Sequence, residues 1–120
     1  MEKKSTAELK KSRCVPCEGG VEPMTVDQAR AQLEELPRWE LVDEGKRIRR
    51  SWMATNFVQA IAFFDKVAEI AEDEGHHPDL HLTSYREVAV ELWTHAIGGL
   101  SENDFIVAAK IEGLAEEALG

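Results

Sequence analysis

The chain has 120 residues, 43% of them hydrophobic and 7% aromatic, and its 23 Asp and Glu outweigh 14 Lys and Arg for a formal charge of -9. A chain of this length buries roughly two thirds of the surface its unfolded form exposes, enough for one core but not for a second domain. The acidic balance argues against a protein that grips duplex DNA by neutralising phosphates with clustered basic residues, and no direct nucleic-acid binding is expected.

The opening residues MEKKSTAELKKSRCVPCEGG are charged and lack the apolar centre of a signal peptide, and no stretch nears the roughly 18 to 20 apolar residues that span a bilayer. The expected location is the cytoplasm, away from membranes. Residues 1–20 carry five Lys/Arg against three Asp/Glu, a net +2, whereas residues 21–120 carry nine against twenty, a net -11. With Gly19, Gly20 and Pro23 marking the change, residues 1–20 read as a flexible extension and 21–120 as the folded domain. The only cysteines, Cys14 and Cys17, form a Cys-Val-Pro-Cys pair. In a reducing compartment such a pair is a redox couple, half of a four-ligand metal site, or a tail feature unrelated to the main chemistry, and without a second CxxC the last reading is preferred.

In TVDQARAQLEEL, Thr25 is placed to cap a short helix with Val26, Ala29 and Leu33 on one face, ending before Pro37. Two short strands follow at 39–42 and 46–52, joined by a turn at 43–45. Thr55 is then placed to cap a long helix with Phe57, Ile61, Phe64, Ala68 and Ala71 as its apolar stripe and Gly75 at its end, and Phe57, Phe63 and Phe64 are expected in the core. LHLTSY alternates, and VAVELWTH sets Val88, Val90 and Leu92 on one face with Glu91, Trp93 and His95 on the other. Ser101 and Asp104 have the spacing of a capping box, with Asp in the Glu position, opening a last helix to Leu119.

The order after the first helix is thus β-β-α-β-β-α. It predicts an α+β two-layer domain, a four-stranded antiparallel sheet with helices on one face. The other face is left for solvent or for a second subunit.

All four histidines, His76, His77, His81 and His95, fall within twenty residues. Imidazole both donates and accepts protons near neutral pH, so converging histidines suit acid–base work. A metal site is the rival reading. His76 and His77 directly before Pro78 lack the i, i+4 spacing of a helical zinc site, yet ligands from separate segments keep that alternative open.

Glu72-x-x-x-His76-His77-Pro78, Tyr85, Val88 and Thr94-His95-x-x-Gly98-Gly99-Leu100-Ser101-x-x-Asp104 resemble the signature of the pterin-4a-carbinolamine dehydratases. The likeness is dense over 72–112 and extends, through the Trp39 hairpin and the Phe-rich helix, over most of 21–120. It implies antiparallel strands with helices on one face, a homodimer or homotetramer, and no metal or organic cofactor. It also implies a reaction, loss of water from a 4a-hydroxytetrahydropterin to give a quinonoid dihydropterin. Carried over by position, His76, His77 and His95 are the catalytic residues, and Glu72 and Asp104 the acidic partners around the substrate. His76 and His95 are expected to exchange protons while His77 orients the ring.

Other readings accompany these. Glu72, one turn before His76, also belongs to the acidic run Glu72-Asp73-Glu74, and Asp104 suits a helix start as well as a pocket. His81 is expected on an exposed or interface strand face, Trp93 in packing, and Gly98 and Gly99 in a strand-to-helix turn. Leu80, Gly75 and Asn103 depart from the Trp, Asp and Arg frequent in animal relatives. A non-catalytic interaction or assembly protein on the same fold is the alternative function, and the retained histidine set favours the enzyme.

Overall fold

A computed structural model describes residues 3–16 and 19–119. Its first helix, α1 (Thr6–Lys11), falls inside the stretch expected to be a flexible extension. Ser5 and Glu8 form a capping box at its start, Leu9 is fully buried, and the helix packs against the last helix of the chain. Two buried side-chain amides fasten the same segment. Gln32 accepts the Lys4 N–H at 2.9 Å and donates to the Lys4 carbonyl at 2.7 Å. Asn103 accepts the Val15 N–H at 3.1 Å and donates to the Val15 carbonyl at 2.7 Å. Over its described residues the extension is therefore part of the packed structure. The sequence reading missed this because one leucine among lysines carries no periodic signal.

Helix α2 (Val26–Leu33) starts at Thr25, whose hydroxyl accepts the Gln28 N–H while the Gln28 side chain accepts the Thr25 N–H. Strands β1 (Glu40–Val42) and β2 (Arg47–Met53) form the expected hairpin across a 3-10 turn at Asp43–Gly45. Helix α3 (Phe57–Glu74) is capped by Asn56, not Thr55: the Asn56 side chain accepts the Gln59 N–H at 2.8 Å. Its buried face consists of Ala60, Phe63, Val67, Ala71 and Glu74, which corrects the expected stripe. Phe57 and Ile61 are 51% and 40% exposed, and Phe64 is only partly buried. Adjacent Phe63 and Phe64 project about 100° apart on a 3.6-residue period, so Phe63 lies in the core and Phe64 at its edge. Trp52 favours Phe63, which it meets edge-on at 5.4 Å, and Trp52 itself packs edge-on against Trp39 at 6.0 Å.

Strands β3 (Asp79–Thr83) and β4 (Glu87–Leu92) complete one antiparallel sheet in the order β1-β2-β4-β3. Ile48, Val88, Val90 and Leu92 lie in the core beneath α3 and the final helix, α4 (Glu102–Ala118). The outer sheet face is charged, with Arg47 and Arg49 pairing Glu91, and Arg47 also reaching Asp79. The architecture is thus the expected α+β one, with a four-stranded antiparallel sheet and helices packed on it. Helix α4 is buried at every position from Asn103 to Ala109, since α1, α3 and the sheet enclose it. This is why its sequence FIVAA lacks a polar face.

Candidate active site

Three chain reversals meet at one end of the domain, and each is set by local chemistry. Helix α3 ends on Gly75 in the left-handed conformation (φ 64°, ψ 31°), which turns His76 and His77 off the helix axis. Strand β4 ends before Trp93, earlier than expected. Thr94 and Gly99 then close a tight loop, with the Thr94 N–H donating to the Gly99 carbonyl at 2.8 Å, so His95 sits in a 3-10 turn and not on a strand face. Gly98 supplies the positive φ of 62° that returns the loop, and a Cβ on Gly99 would lie 2.7 Å from the Pro23 side chain. Helix α4 opens on Ser101 with the capping box read from sequence.

Asp104 is fully buried, and its two oxygens divide their work. Oδ2 accepts the Ser101 N–H at 2.9 Å and the Thr94 hydroxyl at 2.8 Å; Oδ1 lies 2.6 Å from His76 Nε2. Asp104 is thus the helix-start residue read from sequence, and it reaches the cavity only through His76. A carboxylate oxygen accepts, so in this pair His76 Nε2 is the donor and Nδ1 is the other ring nitrogen. Thr94 Oγ1 also lies 2.7 Å from Ser101 Oγ.

Glu72 pairs with the second histidine of the HHP run, its Oε2 lying 2.5 Å from His77 Nε2. Both side chains are more than half exposed, and such pairs hold a ring only weakly. His95 is exposed, with its ring 4.2 Å from the Trp93 ring, and the Arg47 guanidinium lies 4.6 Å from the Trp93 ring centroid. The Trp93 indole N–H is buried without a hydrogen-bond partner among the described residues. His81 lies on the outer sheet face, as expected, with Nε2 3.2 Å from Glu91 Oε2. Among the described residues no three His, Cys, Asp or Glu side chains converge as a metal-binding group.

His76, His77 and His95 line one cavity of about 430 Å3 together with Trp93 and Thr94. Neither expected acidic partner lines this cavity: Asp104 is the buried partner of His76, and Glu72 pairs with His77. Sequence reasoning missed the wall supplied by Cys14, Val15 and Pro16, along with Glu74 and Asn103. The signal available was an uncharged Cys-Val-Pro-Cys run in an otherwise charged tail. Burial and the Glu74 carboxylate push the Cys14 thiol up to about 12, so at neutral pH it is a protonated, weakly nucleophilic group. Cys17 lies outside the described residues.

Fold and site together describe a two-layer α+β protein with a histidine-lined cavity beside one buried carboxylate–imidazole pair. Comparison with known proteins makes the family specific: residues 22–114 match the sequence model of the pterin 4 alpha carbinolamine dehydratases. Pterin-4-alpha-carbinolamine dehydratase 2, mitochondrial, of Arabidopsis thaliana is 47% identical over 118 residues, covering 96% of this chain and 63% of that longer protein. A Methylococcus capsulatus relative is 46% identical over 110 residues, 92% of this chain and 96% of its own. Among solved structures, the transcriptional coactivator/pterin dehydratase from Brucella melitensis superposes with a TM-score of 0.72 at 32% identity, over 78% of this chain and 99% of that one. A pterin dehydratase-like protein described as a RuBisCO assembly factor in the alpha-carboxysome superposes at 0.54 with 22% identity, over 64% of this chain and 88% of that one, which shows the shared fold alone. The chain belongs to the pterin-4-alpha-carbinolamine dehydratase family, a family of lyases.

Proposed function

We propose that this protein removes water from a 4a-hydroxytetrahydropterin by histidine acid–base catalysis, yielding a quinonoid dihydropterin for reductive recycling. The observation that carries this reading is the His76–Asp104 pair at the wall of a cavity also lined by His77 and His95.

The proton accounts balance without a further reactant. One protonated imidazole gives its proton to the 4a-hydroxyl as the C–O bond breaks and water leaves. The ring nitrogen's electron pair forms the new C=N bond, and a neutral imidazole takes the proton that this nitrogen loses. In our reading His76, whose Nε2 is held by Asp104, is one proton carrier and His95 the other, with His77 orienting the ring. Each such group is typically worth about 100- to 10,000-fold. The chain's own groups cover every proton movement, so the proposed reaction uses no metal or organic cofactor.

The test is ultraviolet absorbance of freshly generated 4a-hydroxytetrahydropterin mixed with chelator-treated protein. Acceleration over buffer is expected, and its loss in the His76→Ala/His95→Ala double variant. No acceleration by the wild type, whether untreated or chelator-treated, overturns the enzyme reading in favour of a non-catalytic interaction protein on this fold, and activity present in untreated protein but abolished by the chelator favours a metal site. We also propose self-association. Phe57, Val58 and Ile61 share an exposed apolar face of α3, with Val58 76% exposed. Light scattering is expected to give a mass at least twice the 13.4 kDa of one chain, reduced by Val58→Asp; a monomeric wild type refutes this.

A further inference from the structure

The span matched to the family begins at residue 22, yet the chain before it reaches the active-site cavity. Cys14, Val15 and Pro16 line the same space as His76, His77 and His95. Their anchors adjoin the catalytic pair in sequence. Glu74, two residues before His76, accepts the Cys14 N–H at 2.8 Å, and Asn103, the residue before Asp104, holds Val15 through both its N–H and its carbonyl.

The anchors are themselves fixed. Glu74 and Asn103 are 9% and 6% exposed. Lys110 donates to Glu74 at 2.5 Å, and Arg13 pins the approaching chain to the Asp73 carboxylate at 2.8 Å and the Asp73 carbonyl at 3.0 Å. Buried polar groups that spend their bonding capacity on an arm hold that arm in one place. What the arm presents is different in kind: Val15 is 68% exposed, an apolar side chain beside a histidine-lined cavity.

We propose that this N-terminal arm is a wall of the substrate site, with Val15 and Pro16 packing on the bound pterin and with Asn103 and Glu74 as positioning residues that hold them. The inference rests on the dehydratase reading for its ligand class. Because the reacting carbon and its hydroxyl must face the histidines, the arm meets the non-reacting remainder of the ring system and its substituent. It then contributes to binding and not to proton transfer. Truncation is a poor test, since removing residues 1–20 also removes the buried Leu9.

The decisive variant is Val15→Ala, at an exposed position where folding is not in question, with Asn103→Leu to release the arm. Two measurements are made: steady-state dehydration, and calorimetric binding of 7,8-dihydrobiopterin, a pterin lacking the 4a-hydroxyl. Val15→Ala removes two methyl groups from the contact, so KM and Kd are expected to rise about three- to tenfold. The value of kcat stays within about twofold, a split that general loosening of the fold would not give. Asn103→Leu is expected to follow the same pattern. Unchanged KM and Kd in Val15→Ala, with an active wild type, overturn the arm proposal and leave the dehydratase reading standing. A wild type that binds dihydrobiopterin without dehydrating the hydroxylated pterin overturns the dehydratase reading, and the Kd of Val15→Ala still decides the arm. A wild type that neither binds nor turns over overturns both.

Discussion

The division of labour within Asp104 makes a sharp demand on its chemistry. Because the Ser101 N–H and the Thr94 hydroxyl both donate to Oδ2, an amide at this position would keep its oxygen there and turn its NH2 toward His76. His76 Nε2 would then have to accept, placing the imidazole proton on Nδ1, the reverse of the tautomer that the carboxylate enforces. Asp104→Asn is therefore expected to lower kcat/KM about 100-fold, while urea unfolding shows a loss of no more than about 1–2 kcal/mol because the cap survives. Glu72→Gln, breaking the exposed pair with His77, is expected to change kcat/KM by less than about threefold. Comparable losses in the two variants would contradict this ranking. The residues themselves were legible from the motif, but the ranking was not: sequence spacing set Glu72 near His76, whereas the fold gives His76 to Asp104, 28 positions away.

Among the elements, α1 and α3 show where periodicity misleads. The reading of α3 found an apolar stripe starting at Phe57, but the helix has apolar residues on more than one side. Tertiary packing, on α4 and through the edge-on contact of Trp52 with Phe63, goes with the side that carries Ala60, Phe63, Val67 and Ala71. Helix α1 is six residues long, too short to hold itself together in water, so it persists through its tertiary contacts. Leu9 carries that attachment with no exposed surface. Leu9→Ala is expected to cost about 2–5 kcal/mol by removing a buried side chain and leaving a cavity, measured as a lower urea midpoint with the slope unchanged. A loss under about 0.5 kcal/mol, ordinary for surface substitutions, would restore the flexible extension that composition suggested. By contrast, the capping boxes at Thr25–Gln28 and Ser101–Asp104 and the glycine stop at Gly75 follow local rules, and all three could be read before the fold was known.

For the molecule as a whole, Glu74 joins α3, α4 and the N-terminal arm and gives their union a pH dependence. Burial alone raises the proton affinity of its carboxyl group. The Cys14 N–H, the Lys110 ammonium and the Arg13 guanidinium together outweigh burial, so the group titrates below its ordinary 4.5. As pH falls through 4.5 the unfolded chain protonates Glu74 before the folded one does. The unfolded state then binds more protons, and the stabilisation, complete above 4.5, is lost as pH drops through the folded value. Glu74→Gln removes this contribution and leaves Lys110 short of its partner, at an expected cost near neutral pH of about 2–3 kcal/mol. The stability gap between wild type and Glu74→Gln is expected to narrow below pH 4.5 in urea unfolding series. A gap constant from pH 7 to pH 3 would refute the linkage.

The sequence by itself determined the order of the elements from α2 onward, the caps at Thr25 and Ser101, the glycine stop of α3, and the group of histidines with one aspartate that carries the proposed chemistry, since these depend on local conformational preference and residue type. Tertiary structure alone decided which face of α3 is buried, which carboxylate holds which histidine, and that the basic N-terminal segment completes the cavity. Those outcomes depend on contacts between segments tens of residues apart, such as Val15 with Asn103 and His76 with Asp104, whose energies no local pattern records. The formal charge of -9 is silent on all of them. Its net +2 opening segment is the part held, through Arg13, Cys14 and Val15, against the acidic end of α3 and the start of α4.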